Sequence, residues 1–261
     1  MLHTALLGLA AIAALAVLTW LVSLVRRDVS IVDSLWSVFI ITGGAVYAVV
    51  LPWTTARPAL MLALGGAWAL RLCVYITWRN HGHGEDRRYQ QIRARNQPNF
   101  GLKSLYLIFL LQAVLAWIVS APFFAGVSGA GPINALDLAG AALAVFGIVF
   151  EATGDQQMAR FKADPANKGL VMDRGLWRYT RHPNYFGECC TWWGLYLIAL
   201  AAGAQGWWSI VSPLLMTVLL LKVSGVSLLE ADIGERRPAY RDYIARTNAF
   251  VPGPPRSKET A

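Results

Sequence analysis

Residues 175–203 read GLWRYTRHPNYFGECCTWWGLYLIALAAG, and the nature of this stretch decides the nature of the chain. Its second half is an apolar run of the kind that crosses a bilayer. Its first half crowds Arg178, Arg181 and His182 in front of Pro183, a residue that suits the first turn of a helix. Asn184 and Glu188 follow four apart, on one face of that helix and inside the oily run. A membrane helix that opens on so much polar chemistry predicts a helical protein in lipid with a ligand held at one end.

Outward from this stretch the same pattern recurs. Apolar runs of about 20 residues, enough to span a bilayer, occur at 2–25, 29–51, 58–79, 103–124, 133–155, 183–203 and 207–233. Hydrophobic residues make up 56% of the chain and charged residues 15%, against about 25% charged in a soluble domain. The expected fold is an all-α integral membrane protein of seven transmembrane helices, N-terminus outside and C-terminus cytosolic, with short cytosolic surface helices. That orientation puts twenty of the 23 Lys and Arg residues inside: Arg26 and Arg27, six between 79 and 103, six between 160 and 181, and six between Arg236 and Lys258. Arg57 alone is left in an outer loop, and Arg71 and Lys222 fall within runs. The net charge of +8 is therefore topology, and no basic helix is left over to enter a nucleic-acid groove.

The first run lacks a basic leader, is too long for a signal peptide and is followed by Arg26-Arg27, so it is expected to stay as an anchor. Cys73, Cys189 and Cys190 all lie in apolar runs without a CxxC, which suggests neither a disulfide framework nor a thiolate metal site. His81 and His83 read as a solvated loop, and no metal is expected. The 80–103 loop predicts a short surface helix ending at Gln97-Pro98. Segment 156–182 carries turn signals at Asp164-Pro165 and Asn167-Lys168-Gly169. Residues 235–255, ERRPAYRDYIARTNAFVPGPP, predict an amphipathic helix on the membrane face. Gly140, Gly147 and Gly154 fall seven apart and mark a seam where helices come close.

Ionisable side chains in apolar runs are costly, roughly 2.5–3.5 kcal/mol each at a helix centre, and by default point to function. Here they are Asp33, Arg71, Glu151, Asp155, Glu188, Lys222, Glu230 and Asp232. Glu151 and Asp155 share a helix face and are expected at its C-terminal end, where the macrodipole disfavours them. Either Arg160 and Lys162 compensate, or the pair accepts hydrogen bonds from a ligand's hydroxyl or amide groups. At the head of the 183–203 run, free N–H groups and Arg forks suit the oxygens of a phosphate-bearing ligand. Neither GxGxxG nor a P-loop occurs, so a nucleotide would be clasped by membrane helices and inner loops. Asp33 has two readings. Ser30-x-x-Asp33 resembles a capping box; otherwise its carboxyl faces an apolar cavity as a proton donor, with Arg71 and Tyr75 on one face of the third run able to meet it. For Arg71 and Lys222 the alternative is snorkelling to the interface.

RYTRHPNYFGE with its Trp-rich continuation, the preceding D-x-x-x-x-R-F-K, the EDRRY of the first inner loop and RRPAYRDYIARTNAFVP together resemble the steroid 5α-reductase superfamily, over most of the chain. RHPxYxGE by itself is shared with sterol C14-reductases and isoprenylcysteine carboxyl methyltransferases. The resemblance implies a single seven-helix domain over residues 1–252, with about 150–252 as its cofactor-binding half and 253–261 as a disordered tail. It implies NADPH as cofactor, and reduction of the C4–C5 double bond of a 3-oxo-Δ4-steroid or similar lipidic enone that enters from the lipid. Carried over by position, Asn184 and Glu188 match the nicotinamide end and Asp155 an acidic cofactor contact. Glu151 falls where the family has Asn, and Lys162 lies near the phosphates. Arg178, Tyr179, Arg181 and His182 belong to the same cofactor end, and Tyr240, Arg241, Tyr243 and Arg246 to a tail that closes over the nucleotide. The family's Gln-Glu pair on the second helix is replaced by Val32-Asp33, and Trp68 stands where its Tyr would be. Asp33 and Tyr75 are therefore the expected catalytic acids. Membrane lipids are the other expected partners, with no nucleic acid and no obligate protein partner. An Ala- and Arg-rich chain with tight loops suggests a bacterial inner membrane with the site facing the cytosol. The competing reading is methyl transfer from S-adenosylmethionine to a lipid-like acceptor.

Overall fold

The computed structural model describes residues 1–223, 225–226, 230, 233–236 and 238–256, and no strand occurs among them. In chain order the helical elements are α1 Leu2–Arg26, α2 Ile31–Val50, α3 Arg57–Asn80, α4 Arg87–Arg95, α5 Phe100–Val127, α6 Ala135–Ala163, α7 Pro183–Ala201, α8 Gln205–Val223, α9 Ile233–Arg236 and α10 Ala239–Arg246. Six of them, α1, α2, α3, α5, α6 and α8, are long and apolar enough to cross a membrane. The chain is a multi-pass membrane protein. α7 is 19 residues long but stands outside that group, because Asn184, Glu188 and its Thr and Trp residues dilute its apolar character. Of the residues used in the sequence reading, Asp232, Arg237 and Lys258 lie outside the described residues.

Two compact units divide the chain: Met1–Leu138 with Leu195–Ser212, and Ala139–Gly194 with Pro213–Ala261. In the first unit helices meet through small residues. Gly44 lies against the Phe123 ring, where an added Cβ would come within 2.8 Å. Gly65 abuts the same ring, and Gly8 lies under Tyr47. Tyr47, buried, reaches the Ser120 hydroxyl at 3.2 Å and packs edge-on to Phe124. At the end formed by Arg57, Asp137 and Ala201, a fully buried bidentate ion pair joins Arg57 to Asp137 at 2.7 and 2.9 Å. The remaining Arg57 nitrogens donate to the carbonyls of Gly131, Pro132 and Ala201. Asp137 also accepts from the Asn134 N–H, while the Asn134 side chain accepts from Leu136 N–H, a reciprocal cap that starts α6.

In the second unit the glycine seam forms. Gly147 packs on Gly187 and Thr191, Gly154 on Pro183 and Asn184, and Gly194 on the Gly140 carbonyl and Ala144. A Cβ on Gly187 would lie 2.5 Å from the Glu151 amide nitrogen, so at this level α6 and α7 touch backbone to backbone. α6 runs to Ala163, about two turns past the expected end at 155. The residues after Asp155, QQMARFKA, are mostly good helix formers, and only Asp164-Pro165 stops the helix. Glu151 and Asp155 therefore sit in the body of α6, and Arg160 and Lys162 occupy its C-terminal end.

Candidate functional site

Polar chemistry in the second unit gathers where α7 begins. Pro183 opens α7, and Arg181 and His182, both buried, precede it. Both converge on Glu230. Arg181 donates to its two oxygens at 2.7 and 2.8 Å, and His182 Nε2 lies 2.9 Å from Oε1. Burial alone would raise the Glu230 carboxyl, but hydrogen bonds from His182 and Arg181 outweigh it and hold its pKa down to about 2. The remaining Arg181 nitrogen donates to the carbonyls of Ile244 and Thr247. In this structure Arg181 spends its fork inside the protein, and Arg178, exposed beside it, is the fork that faces outward.

The C-terminal segment is sewn to the same stretch. Arg181 N–H donates to Asn248 O at 2.9 Å, the Thr180 hydroxyl to Phe250 O at 2.8 Å, and Gly253 N–H to Tyr179 O at 3.0 Å. The buried Tyr243 hydroxyl donates to the Trp177 carbonyl, and Arg246 pairs with Asp173. Tyr240 packs edge-on to Tyr243 at 5.2 Å, while Arg241 is exposed. The described end of the tail is bonded too, with Arg256 N–H donating to Arg246 O.

Behind this docked segment lies a carboxylate layer. Glu151, Asp155 and Glu188 are 2%, 5% and 7% exposed, and the Gly187 contact brings the Glu151 turn of α6 against the turn that carries Glu188. The Asn184 side-chain oxygen is buried and accepts no hydrogen bond among the described residues. An orphaned buried acceptor costs about 1–3 kcal/mol, and an amide N–H from a ligand would satisfy it. Lys162 and Tyr179 are exposed, as groups that meet a ligand from the aqueous side would be.

The first unit holds a separate acid cluster. Asp33 lies in the first turn of α2, but the expected capping box does not form: Ser30 makes no side-chain cap and bonds Asp28 instead. Asp33 accepts from Arg88 at 2.7 Å and from the Tyr89 hydroxyl at 2.5 Å. Gln112 donates to that hydroxyl at 3.4 Å. Burial raises the Tyr89 pKa and the neighbouring Asp33 raises it further, so the phenol keeps its proton. Tyr75, the phenol expected beside Asp33, packs against Trp78 and under Arg79. With Arg71 it lines an open groove of about 590 Å³ on α3. Lys222 is exposed near the end of α8.

Sequence reasoning assigned no role to Tyr89 or Gln112, to Glu230 as the acceptor for Arg181 and His182, or to the Arg57–Asp137 pair. The EDRRY motif did contain Tyr89, and Glu230 stood out as an acid in an apolar run; which groups they meet depends on tertiary contacts. No cluster of three or more metal-ligating side chains occurs among the described residues.

A family model described as a protein of unknown function, DUF1295, matches residues 19–247. An uncharacterized protein of Schizosaccharomyces pombe (strain 972) is 26% identical over 266 aligned positions, covering 89% of this chain and 75% of that protein. No solved structure matches the chain.

Proposed function

The chain belongs to the DUF1295 family, and on that footing we propose that it is an NADPH-dependent membrane reductase of the C4–C5 double bond of a 3-oxo-Δ4-steroid or a similar lipidic enone. The reading includes seven spans, with α7 as the sixth in chain order, the N-terminus outside and the C-terminus in the cytosol of a bacterial inner membrane. The resemblance to steroid 5α-reductases supports it. The observation that carries it is the buried Asn184 oxygen with no donor among the described residues, placed on one helix face with Glu188.

The roles are assigned within each unit. Asn184 and Glu188 hold the carboxamide end of the cofactor, with Asp155 and Glu151 as further acceptors. Arg178 and Lys162 meet its phosphates, and the Arg preference suits a 2′-phosphate. NADPH, when bound, supplies the hydride that the β-carbon of the enone accepts. In the other unit Asp33 anchors and orients the Tyr89 phenol, which hydrogen-bonds the substrate carbonyl as that oxygen gains negative charge. The α-carbon then takes a proton, and the double bond is saturated. Tyr89 takes the part assigned to Tyr75 from sequence, because it is the phenol that Asp33 binds.

Purified protein tests this directly. NADPH should raise the melting temperature and S-adenosylmethionine should not, and a progesterone-type enone should drive NADPH oxidation. Asn184→Ala should weaken NADPH binding about tenfold, the loss of roughly one hydrogen bond to a buried group. Stabilisation by S-adenosylmethionine alone would move the protein to the methyltransferase class.

A further inference from the structure

The end of α1 carries a feature that the reductase reading does not use. A cavity of about 260 Å³ opens there, lined by Ser23, Leu24 and Arg27 from the end of α1, by Arg93 of α4, and by Phe100 and Gly101 of α5. We propose that this cavity binds the phosphate headgroup of an anionic phospholipid.

Two guanidinium groups face it. Arg27 ends α1 in the left-handed region at φ 53° and returns its N–H to the Ser23 carbonyl. Its side chain is exposed and makes no hydrogen bond among the described residues. Arg93 is held rigidly: Glu85 takes its Nε at 2.8 Å and one Nη at 2.6 Å, and the Phe100 ring lies 4.5 Å beneath it. Its other Nη has no partner among the described residues. The carboxylates nearby are already engaged, Glu85 with Arg93 and the Val29 N–H, and Asp28 with Ser30. Arg26, Arg27, Arg93 and Lys103 stand against Asp28 and Glu85 around this end, an excess of two positive charges.

The walls choose a lipid over a free anion. Ser23 and Ser104 are buried and donate to carbonyls of their own helices, so the donors left for a phosphate are the two arginines. Above the cavity α1 exposes Leu18, Leu21, Val22 and Val25, at 59%, 47%, 46% and 86%. This apolar face accepts acyl chains while the guanidinium groups hold the headgroup at the membrane interface, where each basic side chain adds about fivefold in affinity for anionic lipid.

The test uses the full chain in zwitterionic detergent micelles, titrated with phosphatidylglycerol, phosphatidylcholine or inorganic phosphate and read by native mass spectrometry and melting temperature. Phosphatidylglycerol should bind and stabilise in preference to phosphatidylcholine. Arg27→Asn, whose side chain tolerates the left-handed backbone, should lose about fivefold of that preference. Arg27→Lys should keep most of it, and so should Arg95→Asn on the exposed side of α4. If Arg27→Asn keeps the full preference, or the two lipids bind equally, the proposal is wrong. Equal stabilisation by inorganic phosphate would overturn the lipid assignment.

Discussion

Two residue pairs show how differently a charge can be used in this protein. Arg57 and Asp137 are completely buried and satisfy each other with both forks and three carbonyls. Breaking such a pair leaves one charge buried alone, a loss of about 3–5 kcal/mol. Arg57→Ala should therefore lower the melting temperature in detergent steeply, whereas replacing both partners by Leu should recover much of the loss. Asp33 and Tyr89 form the other pair, partly reachable from outside, since the Asp33 side chain is 20% exposed. If the phenol bonds the substrate carbonyl, Tyr89→Phe should reduce kcat about 10²–10⁴-fold and leave NADPH affinity unchanged. Asp33→Asn should lie between the variant and the wild type. A Tyr89→Phe protein with normal turnover would take the phenol out of the chemistry.

At the scale of the element, what matters is how near α6 and α7 come. Gly187 has no room for a methyl: its Cβ would lie 2.5 Å from the Glu151 nitrogen and 2.6 Å from the Gly147 oxygen. Both obstacles are backbone, so the helices must part, at about 1–3 kcal/mol. Glu188 and Asn184 ride on the helix that moves. Gly187→Ala should thus lose stability and NADPH affinity together. Gly66→Ala offers the control, because its Cβ would meet nothing within 4 Å and Ala favours the helix by up to about 1 kcal/mol. Equal effects of the two substitutions would dissolve the argument for a close seam.

For the molecule as a whole, one linkage ties the tail to pH. The folded Glu230 carboxyl sits at about 2, below its ordinary 4.5, because the hydrogen bonds from His182 and Arg181 outweigh the effect of burial. A depressed carboxylate contributes stability that is complete above about 4.5 and fades as pH falls toward about 2. Arg181 also holds the carbonyls of Ile244, Thr247 and Asn248, so neutralising Glu230 loosens the C-terminal docking as well. Melting temperature measured from pH 7 downward should drop between pH 5 and 2. Glu230→Gln should start lower and show a shallower fall over that window. A variant with an unchanged acid limb would place the sensitivity in other carboxyls.

The ends of the apolar runs were legible because hydrophobic length and helix stops act locally. Pro183 marks the start of α7, Asp164-Pro165 the end of α6, and the Gly147 spacing the face on which α6 is approached. A burial preference could also be read from Asn184 and Glu188, since polar groups inside an apolar run have few places to go. Pairing was not legible. Arg57 looked like a loop residue and is bound to Asp137, 80 positions away. Asp33 took Tyr89 and not Tyr75, and Arg181 was drawn to Glu230 instead of facing outward. In an apolar interior every charge must find a partner, and that partner is chosen by three-dimensional distance, which the order of residues along a chain does not encode at a glance.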